Sequence, residues 1–283
     1  MVESVAGALH LVSTPIGNLG DVSFRARDIL AAADRIYAED TRRARVLLEH
    51  LGVSARPRSL HGHNEAERQA EVLAGLQEGE MVVLLSDAGT PLVSDPGGRI
   101  VSAAARGGYR IVPIPGPSAV LAALVASGLP ADRFAFLGFP PRKGRDRAQF
   151  LERVAGSPET TVLFESPKRL VRLLVDLGEG CDLERRVAIG RELTKAHEEF
   201  FRGTLKEAAR YYEEHPPRGE VTLVVDRERT EGAGEELDRE AVEVLARSAM
   251  ARGLSPSEAA RDVARRLNAP RNAVYRIVQS LGP

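Results

Sequence analysis

The feature that most constrains this chain is a regular alternation of short apolar runs and helical patterns through its first half. The run Met81–Leu85 is continuously apolar, which is typical of a strand buried on both faces of a parallel sheet. Similar runs at Leu9–Ser13, Arg35–Ala38 and Arg110–Ile114 each end in a polar or glycine- and proline-containing loop, and a helical pattern then follows. This alternation predicts an open, parallel α/β sheet.

A break near Gly128–Pro130 precedes a second set of apolar runs with helical patterns between them. This set predicts a second α/β domain. A polar, Gly/Glu-rich stretch around Arg227–Glu236 indicates a linker, and the remainder has helical patterns. The predicted strands of the second domain are Phe134–Leu137, Thr161–Phe164, Val187–Gly190 and Val221–Val225. The predicted domains are residues 1–128 (α/β), 129–228 (α/β) and 229–283 (linker and helices).

Composition restricts the class of protein. Hydrophobic residues make up 43% and charged residues 28% of the chain, as in globular proteins. The formal net charge of −1 provides no global attraction to nucleic acid, so any RNA contact must come from local basic patches. A single cysteine, Cys181, excludes an internal disulfide, and we expect no metal site. No signal-peptide pattern is visible and the most apolar stretch, Ala119–Ala126, is too short for a bilayer, so we expect a cytoplasmic protein.

Three loops that follow predicted strands of the first sheet are rich in Gly, Pro and small polar residues. They are Thr14–Asn18, Ser86–Gly98 and Pro113–Ala119. Open α/β folds bind ligands at the carboxyl ends of their strands, so three such loops predict a pocket there, although simple turn chemistry would also produce them. The sequence has no G-x-G-x-x-G motif opening a helix and no P-loop motif, which argues against a Rossmann dehydrogenase and a P-loop enzyme.

Six segments in the same order resemble one family, ribosomal RNA small subunit methyltransferase I, which methylates a cytidine 2′-hydroxyl and belongs to the tetrapyrrole-methylase (class III) superfamily. The resemblance spans roughly Leu9–Asp226 and continues more weakly beyond it. The segments are Ser13–Leu19, Ala38–Arg42, Ser86–Gly97, Pro113–Ala119, Phe164–Pro167 and Gly190–Lys195.

The resemblance implies two α/β domains of the class III methyltransferase fold with S-adenosylmethionine in the cleft between them. Backbone groups from stiff loops can hold the adenine and methionine parts of this cofactor, and Asp87 and Thr90 add side-chain hydrogen bonds. The residues that the resemblance assigns to the cofactor pocket are Pro15, Gly17, Asp87, Ala88, Gly89, Thr90, Ser118 and Ala119.

Methyl transfer to a hydroxyl requires a group that takes up a proton. The candidates are the carboxylates Glu165, Glu192 and Asp40, with Lys195 as a further candidate if its pKa is lowered. Arg191 precedes Glu192 and Lys195, and this cluster could orient a ribose and a phosphate, although a solvated ion-pair cluster would look the same. We select Glu192, Lys195, Glu165 and Arg191 as the catalytic set, and we do not select the loop histidines His61, His63 and His197.

Basic residues near the predicted cleft are candidates for RNA phosphate contacts, which would be salt-dependent. Arg142, Lys143, Arg145 and Arg147 lie on one Pro/Gly-rich loop, and Arg42 follows a strand. Arginine-rich segments are also common on solvated surfaces, so neither patch decides the question alone.

The C-terminal segment Ala251–Pro283 has six arginines against Glu258 and Asp262, a local balance of +4. Ser255 to Glu258 forms a capping-box pattern that opens a helix, and the turn Asn268–Pro270 precedes a basic second helix containing Arg271 and Arg276. This pattern indicates a helix-turn-helix that contacts RNA; the alternative is a small bundle that only packs.

The sequence therefore predicts S-adenosylmethionine-dependent methylation of a cytidine ribose in the decoding region of 16S RNA, within the small ribosomal subunit, by a homodimer. Two alternatives remain. A tetrapyrrole C-methyltransferase would share the fold, and a non-catalytic nucleic-acid-binding protein would depend on the C-terminal helices alone.

Overall fold

The structure is a computed structural model that describes residues 7–228, 239–252, 254–267 and 271–280, without the side chains of 271–273 and 276. The described residues form two compact units. The first lies within residues 1–155 and 159–226, and the second within 156–158 and 227–283. No helix in the described ranges is long and apolar enough to cross a membrane.

The first unit begins with a five-stranded sheet in which every pair of neighbouring strands is parallel, in the order β3-β2-β4-β1-β5. The parallel α/β sheet expected from the alternating pattern is thus confirmed. The strands are β1 (Ala8–Val12), β2 (Arg35–Ala38), β3 (Arg58–Ser59), β4 (Met81–Leu85) and β5 (Arg110–Ile114). The helices are α1 (Phe24–Ala32), α2 (Thr41–His50), α3 (Glu65–Gln77), α4 (Gly98–Arg106) and α5 (Ala119–Ala126).

The central position of β4 explains its continuous apolar run. Val83 and Leu85 pack on one face of the sheet against α1 and α2, whereas Val82 and Leu84 pack on the other face against α3 and α4. Successive side chains of a strand point to opposite faces, so a strand covered by helices on both sides needs apolar residues at every position.

The second sheet has the order β6-β7-β10-β8-β9, with only β6 and β7 parallel and the other pairs antiparallel. The segment Glu199–Thr204 was not predicted as a strand; it pairs with β8 alone at the edge of the sheet and carries only two large apolar residues, Phe200 and Phe201. The strands are β6 (Phe134–Gly138), β7 (Thr160–Glu165), β8 (Arg186–Arg191), β9 (Glu199–Thr204) and β10 (Val221–Val225). The helices are α6 (Arg145–Ala155), α7 (Pro167–Gly180) and α8 (Leu205–Glu214).

Helix α5 joins the two sheets. It follows β5 of the first sheet, yet its buried residues Val120, Ala123 and Leu124 pack into one core with residues of β7, β8 and β10. The guanidinium of Arg202 on β9 donates to the carbonyl oxygen of Ala126 at 2.6 and 3.0 Å, at the end of this helix. The two sheets therefore share a core within one compact unit, and the predicted domain boundaries at 128/129 and 228/229 stay predictions.

The second unit contains three helices, α9 (Arg239–Ala251), α10 (Pro256–Arg266) and α11 (Arg271–Ser280). The predicted capping box is present, because the Ser255 side chain accepts from the Glu258 backbone N–H and the Glu258 carboxylate accepts from the Ser255 N–H. Ala260 and Val263 are buried as expected. The predicted turn at 268–270 lies outside the described residues, as do the side chains of Arg271 and Arg276.

Replacing Leu124 by alanine should destabilise the first unit. The Leu124 side chain is 2% exposed and packs against the second sheet, so its truncation should reduce the free energy of unfolding by roughly 2–5 kcal/mol. Leu121→Ala is the matched control, because Leu121 is on the same helix but 51% exposed, and its change should stay within about 0.5 kcal/mol. Urea denaturation followed by circular dichroism measures both; equal effects of the two variants would contradict the shared core.

Candidate active site

The carboxyl ends of β4, β1 and β5 lie side by side, and the three glycine- and proline-containing loops meet there. Thr14 and Gly89 exchange a pair of backbone hydrogen bonds at 2.9 and 3.0 Å, which joins the loop after β1 to the loop after β4. The Thr14 hydroxyl donates to the carbonyl oxygen of Ser86 at 3.0 Å, and the Thr90 hydroxyl donates to that of Pro117 at 3.4 Å. The structure thus brings the three predicted pocket loops together.

The loop after β4 has an unusual backbone. Gly89 has a φ of +86°, which an L-residue rarely adopts, and Leu92 and Ser94 adopt left-handed φ values of 72° and 68° without being glycine. Such strained residues persist only where the surrounding structure holds them, and they cluster at functional sites. This backbone therefore supports a functional role for the loop, independently of its side chains.

A cavity of about 480 Å³ opens beside these loops, within the range of about 300–1,000 Å³ that small-molecule sites occupy. Most of its wall is apolar. Thr90 and Ser118 are the predicted cofactor residues that line it, and Phe136 of β6 contributes from the second sheet. The complete lining is Leu11, Ser13, Thr90, Pro91, Val93, Pro113, Ile114, Pro115, Gly116, Ser118, Val120, Leu121 and Phe136.

A smaller cavity of about 220 Å³ adjoins the same loops and is lined by Pro15 and Asp87, among others. The Asp87 carboxylate accepts a hydrogen bond from the backbone N–H of Asp40 at 2.8 Å, which ties the end of β4 to the end of β2. The other predicted cofactor residues are Gly17, Ala88, Gly89 and Ala119; in the described part of the chain they line neither cavity.

Asp40, a candidate base in the sequence, serves as the N-cap of α2. Its carboxylate accepts from the Arg42 backbone at 2.9 Å and forms an ion pair with the Arg42 guanidinium at 2.7 Å. These hydrogen bonds hold the pKa of Asp40 far below its ordinary value. Asp40 is therefore a weak proton acceptor, and the predicted RNA-binding residue Arg42 is paired with it.

Three carboxylates, Glu39, Asp87 and Asp95, gather at the ends of β2 and β4, and sequence reasoning missed two of them as site residues. The Ser86 hydroxyl donates to Asp95 at 2.5 Å. Burial raises the pKa of Asp95 despite this hydrogen bond, and the negative charge of Asp87 raises it further. Burial and the charges of Asp87 and Asp95 likewise raise the pKa of Glu39. The pKa values of Glu39 and Asp95 are therefore both raised next to the pocket loops.

The predicted catalytic residues lie along one end of the second sheet, where its strands begin or finish. Glu165, Val221, Arg191 and Glu199 are register partners across β7, β10, β8 and β9, so they form a row. Two strand spacings separate Glu165 from Arg191, about 10 Å between backbones. Glu192 follows Arg191 directly, so the predicted catalytic residues lie at the same end of the sheet.

Lys195 and Glu192 form a tight pair in this row. The Lys195 ammonium donates to the Glu192 carboxylate at 2.7 Å and to Glu220 at 3.1 Å. The hydrogen bond from Lys195 lowers the pKa of Glu192. Burial alone would lower the pKa of Lys195, but its hydrogen bonds to Glu192 and Glu220 raise it overall. The lowered pKa that Lys195 would need to act as a base is therefore not found, and it is a cation here.

Gly17 connects this end of the second sheet to the first sheet's loops. A Cβ atom at Gly17 would overlap the Cγ of Lys195 and would lie 3.0 Å from the Thr194 hydroxyl. Only glycine allows this approach of the loop after β1 to the loop after β8. Glu192 and Thr194 also adopt left-handed φ values of 51° and 68°, so this loop is strained like the loop after β4.

Glu165 and Arg191 are both held by partners. Glu165 is 2% exposed, and its Oε1 accepts from the Ser166 N–H at 2.7 Å and from Arg169 at 2.5 Å. Its Oε2 is buried and has no hydrogen-bond partner among the described residues. Arg191 donates to Glu199 at 2.7 and 3.0 Å. Neither side chain is free to reach a substrate in this arrangement.

The predicted basic loop differs from its prediction in two respects: Arg145 and Arg147 lie in the first turn of α6, and Arg147 is buried. Arg142, Lys143 and Arg145 are exposed, and within the described ranges none of them forms an ion pair. Arg147 was grouped with them but is buried; it pairs with Asp176 at 2.5 Å and donates to the Pro141 carbonyl at 3.0 Å. Arg147 therefore anchors the loop and is not part of its exposed basic surface.

Known proteins resemble this chain over most of its length. A family model described as Tetrapyrrole (Corrin/Porphyrin) Methylases matches residues 8–209. A ribosomal RNA small subunit methyltransferase I from Synechocystis sp. is 44% identical over 271 residues, covering 96% of this chain and 97% of that protein. A protein of the same name from Escherichia coli O157:H7 is 41% identical, covering 86% of this chain and 85% of the relative.

The chain belongs to the ribosomal RNA small subunit methyltransferase I family. It is therefore a methyltransferase, and the family resemblance of its six sequence motifs is confirmed.

Solved structures confirm the fold class of this methyltransferase. A cobalt precorrin-4 methyltransferase superimposes with a TM-score of 0.59 at 19% identity, covering 77% of this chain and 94% of that chain. A uroporphyrin-III C-methyltransferase from Thermus thermophilus, complexed with S-adenyl homocysteine, superimposes with a TM-score of 0.56 at 22% identity, covering 78% of this chain and 97% of that chain. The conserved hypothetical protein APE0931 from Aeropyrum pernix superimposes with a TM-score of 0.61 at 19% identity, covering 97% of this chain and 96% of that chain.

The carboxyl cluster predicts a pH-dependent effect of Asp95→Asn. Because the pKa of Asp95 is raised in the folded methyltransferase, the folded state retains this proton above the ordinary aspartate pKa of about 3.9, where the unfolded chain loses it. The free energy of unfolding of the wild type therefore falls as the pH rises from the ordinary aspartate pKa to the raised pKa of Asp95. The variant has no carboxyl at this position, so its stability does not fall for this reason. The stability of Asp95→Asn relative to wild type should therefore increase from pH 3.5 to pH 7.

Urea unfolding at several pH values measures this difference. Asp132→Asn, which removes the same charge from an exposed position, is the matched control. A difference between Asp95→Asn and wild type that stays constant with pH would refute the assignment of a raised pKa.

Proposed function

We propose that this enzyme transfers a methyl group from S-adenosylmethionine to the 2′-hydroxyl of a cytidine in the decoding region of 16S ribosomal RNA. The observation that carries the proposal is the relative of 44% identity, named ribosomal RNA small subunit methyltransferase I, which is covered over nearly its whole length. The target atom and nucleotide follow the family resemblance of the six motifs. The active-site geometry supports the proposal at three points.

The first point is the fit of the cofactor. The cavity of about 480 Å³ has an apolar wall for an adenosyl group, with the hydroxyls of Thr90 and Ser118 and nearby loop backbone for hydrogen bonds. A solved structure of the same fold contains S-adenyl homocysteine. S-adenosylmethionine would supply the activated methyl group, and the loops after β1, β4 and β5 would hold and orient it.

The second point is the charge arrangement across the cavity region. The Lys195 ammonium, held by Glu192 and Glu220, is a fixed cation beside the glycine loop of the first sheet. We assign it to the orientation of the ribose and the stabilisation of its oxygen as the proton leaves. Glu192 would hold this cation in place; because the hydrogen bond from Lys195 lowers its pKa, it is a weak proton acceptor and would pass the ribose proton on to water. Glu165 and Arg191 would position this end of the second sheet through their own ion pairs.

The third point is the route to RNA. Arg142 and Lys143, before α6, and Arg145, its first residue, are exposed basic residues, and they offer phosphate contacts that a net charge of −1 for the chain does not provide. The Arg42 guanidinium and the helical C-terminal unit would add further contacts. The proposed substrate is an assembled or nearly assembled small ribosomal subunit, and the proposal includes a homodimer in the bacterial cytoplasm, where this substrate is found.

One experiment separates this function from tetrapyrrole methylation, which the fold neighbours make the main alternative. Small ribosomal subunits that lack the modification are incubated with the enzyme and labelled S-adenosylmethionine, and the labelled nucleotide is identified by digestion and mass spectrometry. We expect label on a cytidine ribose. Lys195→Met retains the packing against Gly17 but removes the charge, and it should reduce the rate at least about tenfold.

Lys206→Met, which removes an exposed lysine from α8, is the matched control and should methylate at the wild-type rate. An unlabelled subunit together with measurable binding of S-adenosylmethionine would overturn the RNA substrate. Methylation of uroporphyrinogen or a precorrin by the same preparation would then establish the alternative.

A further inference from the structure

A row of three aromatic rings runs from the wall of the cavity to the protein surface. Phe136 lines the cavity, and its ring contacts Phe164 with a centroid distance of 4.9 Å. Phe164 in turn contacts Phe139 at 5.5 Å, and Phe139 is 54% exposed. Phe164 begins one of the six motif segments, but none of the three rings was predicted as a site residue. The exposed ring is therefore connected to the cofactor cavity by two ring contacts.

The backbone of β6 is irregular at the position that creates this row. In a regular strand, residues 136 and 139 would point to opposite faces, because side chains alternate. Here the pairing with β7 shifts register between Phe136 and Gly138, and Gly138 has a φ of +68°. Both rings consequently contact the same side chain, Phe164. Bulges of this kind re-aim side chains next to active sites.

The segment that carries the exposed ring is fixed. Pro140 and Pro141 follow Phe139 directly and restrict the backbone, and Pro140 is buried. The guanidinium of Arg147 holds the Pro141 carbonyl at 3.0 Å and pairs with Asp176. A single exposed phenylalanine is common on protein surfaces, but one held on a braced segment is a preorganised contact site.

Three exposed basic residues follow the ring closely in the chain. Arg142, Lys143 and Arg145 follow the two prolines, are exposed, and form no ion pair among the described residues. An exposed aromatic ring followed within six residues by exposed basic side chains suits unpaired RNA, because a base can stack on the ring while nearby phosphates contact the cations. The same surface would not suit an acidic peptide equally well, since a peptide has no planar group for the ring.

We propose that the Phe139 ring is a stacking platform for an unpaired base of the substrate RNA, at or beside the nucleotide whose ribose is methylated. This inference rests on the proposed function. It adds a binding site for a base, which the basic residues alone do not provide. The base would stack on the exposed face of Phe139, and Phe164 and Phe136 would support that ring from behind.

Three substitutions in the full-length enzyme test this platform. Phe139→Ala should lower kcat/KM for small ribosomal subunits roughly 5- to 150-fold, the range expected for one stacked base. Phe139→Leu, which keeps apolar volume but has no aromatic face, should show most of this loss. Phe139→Tyr should restore activity to near the wild-type value. The affinity for S-adenosylmethionine, measured by calorimetry, should be unchanged in all three.

Phe24→Ala is the matched control, because Phe24 on α1 is 83% exposed but lies outside the cavity lining. It should methylate at the wild-type rate. Wild-type activity of Phe139→Ala, equal rescue by leucine and tyrosine, or a parallel loss of cofactor affinity would each overturn the platform.

A second measurement keeps this inference separate from the proposed function. A single-stranded RNA oligonucleotide containing 2-aminopurine is titrated with wild-type enzyme, and stacking on Phe139 should quench its fluorescence. Phe139→Ala should lose this quenching, whereas Phe24→Ala should retain it. Quenching that depends on Phe139 would support the platform even if no methylated RNA is found, and its absence in the wild-type enzyme would refute the platform.

Discussion

The packing of α5 between the two sheets is the interaction on which the rest of the active-site arrangement depends. The side chains of Val120, Ala123 and Leu124 pack against the second sheet rather than into the cores that cover the two faces of the first sheet. Each fully buried aliphatic side chain contributes about 1.5–3 kcal/mol. This contact brings Phe136 over the loops after β4 and β5 and allows Gly17 to approach Lys195. Without this packing, the loops of the first sheet and the cavity residues of the second sheet would not be held in a fixed relative position.

Strain in the described residues is concentrated where these loops and cavity residues meet. The non-glycine residues with left-handed φ values there are Leu92, Ser94, Glu192 and Thr194, two in each of the loops after β4 and β8. Each such residue costs of order 1–3 kcal/mol, so the shared core must hold both loops in place. The paired charges of Lys195 and Glu192 lie in the second of these loops, which fixes a cation and an anion at the same end of the second sheet. The site is therefore preorganised by packing before any substrate binds.

The sequence predicted the sheets well because their signals are local. The continuous apolar run of β4 and the loops that follow β1, β4 and β5 are visible within a few residues. The edge strand β9 was missed, since a strand that pairs on one side only needs little apolar sequence. Arg147 was grouped with the candidate RNA contacts because its partner, Asp176, lies 29 residues away in the chain. Phe136 and Phe139 were missed for the same reason: their common neighbour Phe164 and the register shift of β6 appear only in three dimensions.

The most direct test of the account is a crystal structure of the enzyme with S-adenosylhomocysteine. Three cavities could hold the ligand. The first is the apolar cavity lined by Thr90, Ser118 and Phe136, and the second is the smaller one lined by Pro15 and Asp87. A third cavity is lined by Arg191 and Tyr212. We expect density for the adenosyl group in the first cavity, between the loops of the first sheet and Phe136. Density in either of the other two, with the first cavity filled only by solvent, would contradict it.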